Sequence, residues 1–281
     1  DRLGIPYHVF AFSWTDRLWG GRAKIARWIA AEDPDLVHAW MGRAASFVPA
    51  QAARPVLGWF GGYYDLKRYR TCDYFMGVTR DIVKYLKRQT GAPDRCFLGH
   101  TFGTLPPSPP IDRADLNTPD DAPVVLLLSR MHPKKGVDTL LHAAMRLPGV
   151  YFWLAGDGPN IGEYKALCTK LDLDDRVRFL GWRSDRAALL AQATVCTLPS
   201  RYEPFGTVMP ESWLAGVPLV ATRAAGATQY VTDGVDGLLC DIDDVGGLAE
   251  ALHRAITDER LRARLIAHGR ETGERLFSRD A

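Results

Sequence analysis

Two acids, Glu203 and Glu211, stand eight positions apart with Phe205-Gly206-Thr207 between them, and the stretch then runs into the apolar residues of Leu219–Thr222. Two cations, Arg130 and Lys135, lie upstream in a short basic loop. Gly206 permits a backbone turn that other residues resist, and Thr207 to Ala215 reads as a helix opening directly after it. A helix start offers unpaired N–H groups and the positive end of a macrodipole, which suits a phosphate. An Arg fork and a Lys point charge together offset a diphosphate without a metal. Carboxylates beside a phosphate are repelled unless each has donors of its own, and sugar hydroxyls are the natural donors. A diphosphate with a sugar on either side is a nucleotide-sugar. The bland alternative, helix-start carboxylates complementing a dipole, stays open at this level.

Positioning these residues takes strands that end where they begin. Val124 to Leu128 is a continuous apolar run of the kind that parallel strands show, followed by the basic loop and a helix with Val137, Leu140, Leu141 and Ala144 inward and Asp138 as its cap. Arg130 and Lys135 thus fall at the carboxyl end of a strand, where open α/β sheets bind ligands. Further strands are expected near 151–155, 176–180, 194–198, 218–222 and 237–240, with a longer helical tail from about 244. Upstream, PYHVFAF, LVHAW, VLGWF, YFMGVT and RCFLGH read as short strands separated by helices. Alternating strands and helices imply parallel sheets covered by helices. The Pro- and Asp-rich stretch 104–123 has no apolar periodicity and reads as a linker.

A length of 281 residues with 47% apolar content allows two ordinary domains. The net charge of +2 carries no nucleic-acid footprint on average, but it is unevenly spread. Residues 1–110 hold 15 Lys/Arg against 9 Asp/Glu, and residues 111–281 hold 20 against 24. The basic first half suits an anionic acceptor or a lipid surface; ordinary variation between domains explains it equally well. No apolar run reaches the roughly 18 residues of a membrane span. The five cysteines are scattered, and Cys168 and Cys196 lie in apolar patterns, so reduced buried thiols and a cytoplasmic setting are expected. Asp241, Asp243 and Asp244 precede an apolar-periodic helix and read as capping residues, not as a metal site.

The pair SRMHPKKG (129–136) and EPFGTVMPE (203–211) resembles the donor domain of retaining glycosyltransferases of family 4, which have the GT-B fold. LAGDGP (154–159), FLGW (179–182) and AAGATQYVTDGVDGLL (224–239) fall in the family's order. The likeness covers residues 123–257 closely and the first hundred loosely. It implies an α/β protein of two Rossmann-like domains whose parallel sheets face across a cleft. Residues 1–108 would be the acceptor side, 109–122 the linker and 123–281 the donor domain. Both ends read as cut, with a leading strand–helix pair or two and a terminal helix expected beyond them.

The resemblance further implies transfer of a sugar from a nucleoside-diphosphate-sugar to an acceptor hydroxyl with retained configuration. Surface glycan or lipid-linked saccharide synthesis is the implied setting, with no metal, no cofactor beyond the co-substrate, and peripheral contact with the inner face of the membrane as a further option. Arg130, Lys135 and Glu203 carry the catalytic expectation, Glu203 contacting sugar hydroxyls or steadying charge at the anomeric carbon. Glu211 is expected on the ribose. Phe205, Gly206, Thr207 and Val208 would offer backbone N–H groups, with the Phe205 ring in the core. Gly156, Asp157 and Gly158 would turn toward the nucleotide, Trp182 and Arg183 toward its base, and Gly226 would let backbone approach the donor sugar. Where the family commonly places a His in the first domain, LGWFGGYYD has Gly61 or Gly62; His38 ends the preceding strand, with a structural role equally open. A fragment that binds donor without transferring it is the alternative.

Overall fold

A computed structural model describes residues 8–10, 20–50 and 54–278. The chain divides into two compact units, Asp1–Gly99 and His100–Ala281. The first contains α1 (Gly21–Glu32), β1 (Val37–Trp40), α2 (Met41–Phe47), β2 (Val56–Phe60), β3 (Tyr74–Gly77), α3 (Arg80–Thr90) and β4 (Cys96–Leu98). Its strands lie in the order β1-β2-β3-β4, and every pairing is parallel. Helix α3 shows why these elements form: the Thr79 hydroxyl accepts from Ile82 N–H at 3.2 Å, Ile82 and Leu86 face the core, and Gly91 ends the helix.

Two local segments depart from what their composition alone suggests. Gly20-Gly21, which reads as a turn, opens α1 instead, because Ala23, Ile25 and Ala26 follow at once and favour the helix. The aromatic–charged stretch 61–70, for which an acceptor or membrane-surface contact and an ordinary helix edge are both open from the sequence, makes only a 3-10 turn at Leu66–Arg68, capped by Asp65. Tyr69 then goes inward and stacks on Phe60 at 4.0 Å between centroids, a burial that a surface helix would not allow. The strand expected at PYHVFAF lies mostly outside the described residues.

The second unit contains β5 (Val124–Leu128), α4 (Val137–Ala144), β6 (Tyr151–Ala155), α5 (Ile161–Lys170), β7 (Val177–Gly181), α6 (Arg186–Gln192) and β8 (Val195–Leu198). There follow α7 (Val208–Leu214), β9 (Leu219–Thr222), α8 (Ala225–Tyr230), β10 (Leu238–Cys240), α9 (Val245–Thr257) and α10 (Glu259–Phe277). The sheet runs β10-β9-β8-β5-β6-β7 and is wholly parallel. Winding therefore reverses between β5 and β8, and a doubly wound sheet opens a crevice at the carboxyl ends of such a pair. Along β5, Val125 and Leu127 enter the cluster under α4 and α9, while Val124, Leu126 and Leu128 enter the opposite one with Leu189 and Leu190. Burial on both faces is the reason for its unbroken apolar run.

The Pro-rich stretch expected as a linker belongs to the second unit, along which it packs as a strap. Leu105, Ile111 and Leu116 lie against the Leu126 cluster, and Gly103 N–H donates to Phe277 O at 2.9 Å. Arg113 satisfies the strap's carbonyls at Pro119, Asp120 and Ala122, and its Nη2 reaches Gln192 O on α6 at 2.7 Å. Widely spaced apolar anchors and one guanidinium thus replace the periodicity that a strand or helix would show. Helix α7 is fixed from behind, where Trp213 Nε1 donates to Asp236 O at 2.7 Å and the Asp236 carboxylate accepts from Thr232 N–H and Thr272. Among the described residues no helix is long and apolar enough to cross a membrane.

Candidate active site

At the switch point, β5 ends at Leu128 and hands over to the loop 129–136, while β8 ends at Leu198 and hands over to 199–207. The two loops are laced together. Arg201 and Tyr202 N–H groups donate to Lys134 O at 2.9 and 3.1 Å. Gly136 has a positive φ of 63°, and a Cβ there would lie 1.9 Å from Pro199 O, so no other residue fits. Gly136 also caps α4; Asp138, expected to do so, sits in the first turn and receives the Arg201 fork at 2.8 and 2.7 Å. Burial alone would raise Asp138, but the Arg201 guanidinium outweighs it and holds the carboxyl below its ordinary value. Arg201 Nε also reaches Asp243 at 2.7 Å.

Lys135 Nζ donates to Glu203 Oε2 at 2.5 Å, with side chains 24% and 15% exposed, joining the two loops across the switch. Gly206, at φ 85°, turns the chain against this carboxylate. The helix expected from Thr207 begins at Val208, and the backbone N–H groups of Thr207 and Val208 carry no protein acceptor among the described residues. Phe205 is buried, its ring 5.8 Å from Tyr230 and 5.5 Å from Phe277, in line with a core side chain.

A cavity of about 610 Å³ opens at the same edge, lined by Leu128, Arg130, Gly156, Asp157, Trp182 and Arg183, with Ser184, Arg186 and Val208 among the rest. Arg130 and Val208 thus both line it. Arg130 is exposed and makes no ion pair among the described residues. Trp182 is 83% exposed at the rim. Arg183 is already held by Asp185 through two bonds of 2.8 and 2.5 Å, and that fork keeps Asp185 below its ordinary value. A Cβ on Gly158 would lie 2.4 Å from Met131 O, so the glycine lets these two backbone segments meet.

Glu211 is not on the cavity wall. It is 3% exposed on α7, and Arg186 Nη1 donates to its Oε1 at 2.6 Å. Burial pushes its carboxyl up to about 7, with Arg186 pulling the other way. Arg186 is a site residue the sequence reading missed; its only signal was a cation at the opening of a helix three positions after Arg183. Gly226 N–H donates to Glu203 O at 2.7 Å, and a Cβ there would meet Phe205 O at 2.4 Å. The close approach that Gly226 permits in this structure is to the 203–205 backbone.

Asp244 caps α9 by accepting from Gly247 N–H at 2.9 Å, and Asp243 serves Arg201. In the first unit, His38 Nδ1 accepts from Trp40 Nε1 at 3.1 Å, its Nε2 is buried without a partner, and burial lowers its pKa. All five cysteines are free thiols, with Cys168 and Cys196 buried.

The arrangement is one of cations and bare N–H groups around an apolar cavity at a switch point, with carboxylates close by. Comparison with known proteins agrees with the fold. Lipopolysaccharide core biosynthesis glycosyltransferase LpsE of Rhizobium meliloti is 37% identical over 259 residues, 92% of this chain and 76% of the relative. LpsD of the same organism is 36% identical over 89% of this chain and 73% of its own length. Among solved structures, Anabaena HepE in complex with UDP and glucose superposes with a TM-score of 0.82 over 96% of this chain and 80% of that one, at 24% identity. Sucrose-phosphate synthase of Thermosynechococcus elongatus gives 0.81 over 92% and 73%, at 25% identity. The two parallel-sheet units are of the GT-B class. The family model described as glycosyl transferases group 1 matches residues 109–272, and the chain belongs to that family.

Proposed function

We propose that this glycosyltransferase is of the retaining family 4 kind and moves a sugar from a nucleoside-diphosphate-sugar to an acceptor hydroxyl. The observation that carries the reading is the Lys135–Glu203 contact across the two switch-point loops, beside a cavity walled by Arg130 and Val208. A diphosphate seated there is offset by Arg130, Lys135 and the free N–H groups of Thr207 and Val208. The nucleoside occupies the cavity, with its base against Trp182 at the rim and a ribose hydroxyl directed to Glu211. Glu203, tied to Lys135, addresses the hydroxyls of the transferred sugar.

In the transfer step the acceptor oxygen bonds to the anomeric carbon as the bond from that carbon to the diphosphate oxygen breaks. Attack on the face the diphosphate leaves retains configuration, and a departing phosphate oxygen takes the acceptor's proton. Charge growing on that oxygen meets cations fixed in advance, the preorganised electrostatics that lower barriers elsewhere. The acceptor is a saccharide, lipid-linked or part of a lipopolysaccharide core; the names of LpsE and LpsD support this class. The basic first half of the chain suits such an anionic partner at the inner face of the membrane.

The test is a thermal-shift screen across UDP-, GDP- and ADP-sugars, followed by transfer to lipopolysaccharide-core saccharides and NMR of the product's anomeric centre. One donor class should stabilise the protein, the product should keep the donor's anomeric configuration, and a chelator should leave the rate unchanged because side chains supply the charge. An inverted product or a chelator-sensitive rate overturns the corresponding part. Donor binding with no transfer to any acceptor favours the binding-only alternative.

A further inference from the structure

Arg186 links the cavity lining to Glu211. It lines the cavity from the first turn of α6, and its Nη1 donates to Glu211 Oε1 at 2.6 Å. The other carboxylate oxygen, Oε2, is buried with no hydrogen-bond partner. A buried charged acceptor with one oxygen satisfied and one bare is an uncommon and costly state. It becomes reasonable when a ligand hydroxyl completes it. Oε1 is already engaged, so the carboxylate cannot rotate freely, and Oε2 is the oxygen left to accept.

We infer that Arg186 is a positioning residue for hydroxyl recognition, holding Oε1 and balancing its charge so that Oε2 of Glu211 is presented to one ribose hydroxyl of the donor. This rests on the reading of Glu211 as a ribose acceptor. The other groups around Glu211 do not substitute for Arg186. From β8 the Cys196 thiol is neutral, pushed up to about 12 by burial. The Ser212 hydroxyl donates to Val217 O at 2.8 Å. Thr272, from α10, is committed to Asp236. With burial pushing Glu211 up to about 7, loss of Arg186 leaves the carboxyl protonated at neutral pH and free to turn.

The experiment is calorimetric titration of UDP, GDP and ADP, following whichever binds the wild-type protein most tightly, into Arg186→Ala, Arg186→Lys, Glu211→Gln and the double variant Arg186→Ala/Glu211→Gln. Arg186→Ala should weaken binding about 10- to 100-fold at pH 7, the loss of one charge-assisted bond. Raising the pH to 9 should recover part of it, because Glu211 regains its charge there. Arg186→Lys should recover part at pH 7, and if the alanine variant does not fold, the lysine variant and its pH profile carry the test. In the Glu211→Gln background, Arg186→Ala should have almost no further effect. A loss that persists in full in that background means that Arg186 touches the nucleotide itself, and the positioning role is overturned. Unchanged binding in Arg186→Ala also overturns it. Wild-type affinity in Glu211→Gln alone instead removes the reading of Glu211 as the ribose acceptor.

Discussion

Replacing Lys135 by alanine separates the contact this side chain makes in the structure from its proposed role toward the donor. In the free protein its ammonium is bonded to Glu203 at 2.5 Å and so fastens the loop after β5 to the loop after β8. Hydrogen bonds between charged groups contribute about 1.5–3 kcal/mol. Both side chains retain some solvent contact, 24% and 15%, so the lower end, about 1.5 kcal/mol, is the expected loss. At roughly 2–4 °C per kcal/mol for domains of 150–250 residues, the free variant should melt about 3–6 °C lower. The second effect appears only with ligand. A nucleotide-sugar at 100 times its Kd stabilises the wild type by about 2.7 kcal/mol. Losing one charge-assisted contact to the diphosphate weakens binding about 10- to 100-fold. At the same ligand concentration the stabilisation then falls to between about half and a seventh of the wild-type value. Differential scanning fluorimetry with and without the donor measures both. The double variant Lys135→Ala/Glu203→Gln adds a control: it removes the uncompensated carboxylate and should regain part of the lost stability, but none of the ligand-induced shift. A ligand-induced shift in Lys135→Ala equal to the wild type's takes Lys135 out of the diphosphate site, whatever happens to the free protein.

Glu211 makes stability fall with rising pH. Its folded value of about 7 lies above the 4.5 of an unfolded glutamate, so its contribution is full below about pH 4.5 and is lost as pH passes through about 7. The difference is worth about 3 kcal/mol, and urea denaturation of Glu211→Gln at pH 4.5 and pH 7.5 should lack that part of the wild-type decline. Arg201→Ala removes the bonds to Asp138, Thr139, Asp243 and Pro133 O; it should cost about 1–2 kcal/mol in chemical denaturation and weaken donor binding through the loosened 199–207 loop. Gly226→Ala places a methyl group 2.4 Å from Phe205 O, so it should cost about 1–3 kcal/mol and most of the transfer activity. Gly162→Ala, in the first turn of α5 with open space around its Cβ position, should leave both unchanged in the same assays.

The strands of the second unit were legible because burial on both faces forces unbroken apolar runs, and β5, β6 and β8–β10 fall within a residue of their expected positions. The two site loops were legible for the same reason, since they begin where those runs stop. What the sequence hid is pairing across chain distance. Nothing near Arg201 indicates that its fork closes on Asp138 and Asp243, and a helix-start aspartate looks like a cap until a glycine with positive φ takes that place. The Glu203/Glu211 spacing alone does not say how differently the two acids are held. Burial makes them unlike, because one faces Lys135 at the junction of the loops and the other lies under Arg186. The strap at 104–123 carried no periodic signal, because its anchors are single side chains and its carbonyls are met by Arg113 rather than by a ladder.

Most of the cations at the crevice are already committed. Lys135 is bonded to Glu203, Arg183 to Asp185, Arg186 to Glu211, and Arg201 to Asp138 and Asp243, while Arg130 has no acidic partner among the described residues. A site built this way attracts phosphate weakly through its mean field, since each paired cation is neutralised at a few ångströms and salt screens the remainder. Under the proposed function its selectivity comes instead from exchange. A ligand gains most when it gives Lys135 a phosphate oxygen and gives Glu203 a hydroxyl in return, so that neither partner of the broken contact is left bare. Inorganic phosphate offers only the first half of that exchange and leaves Glu203 uncompensated. A sugar alone offers only the second. A diphosphate bonded to a sugar supplies both at the spacing of one covalent linkage, which is why the proposed donor meets this pairing better than charge alone would.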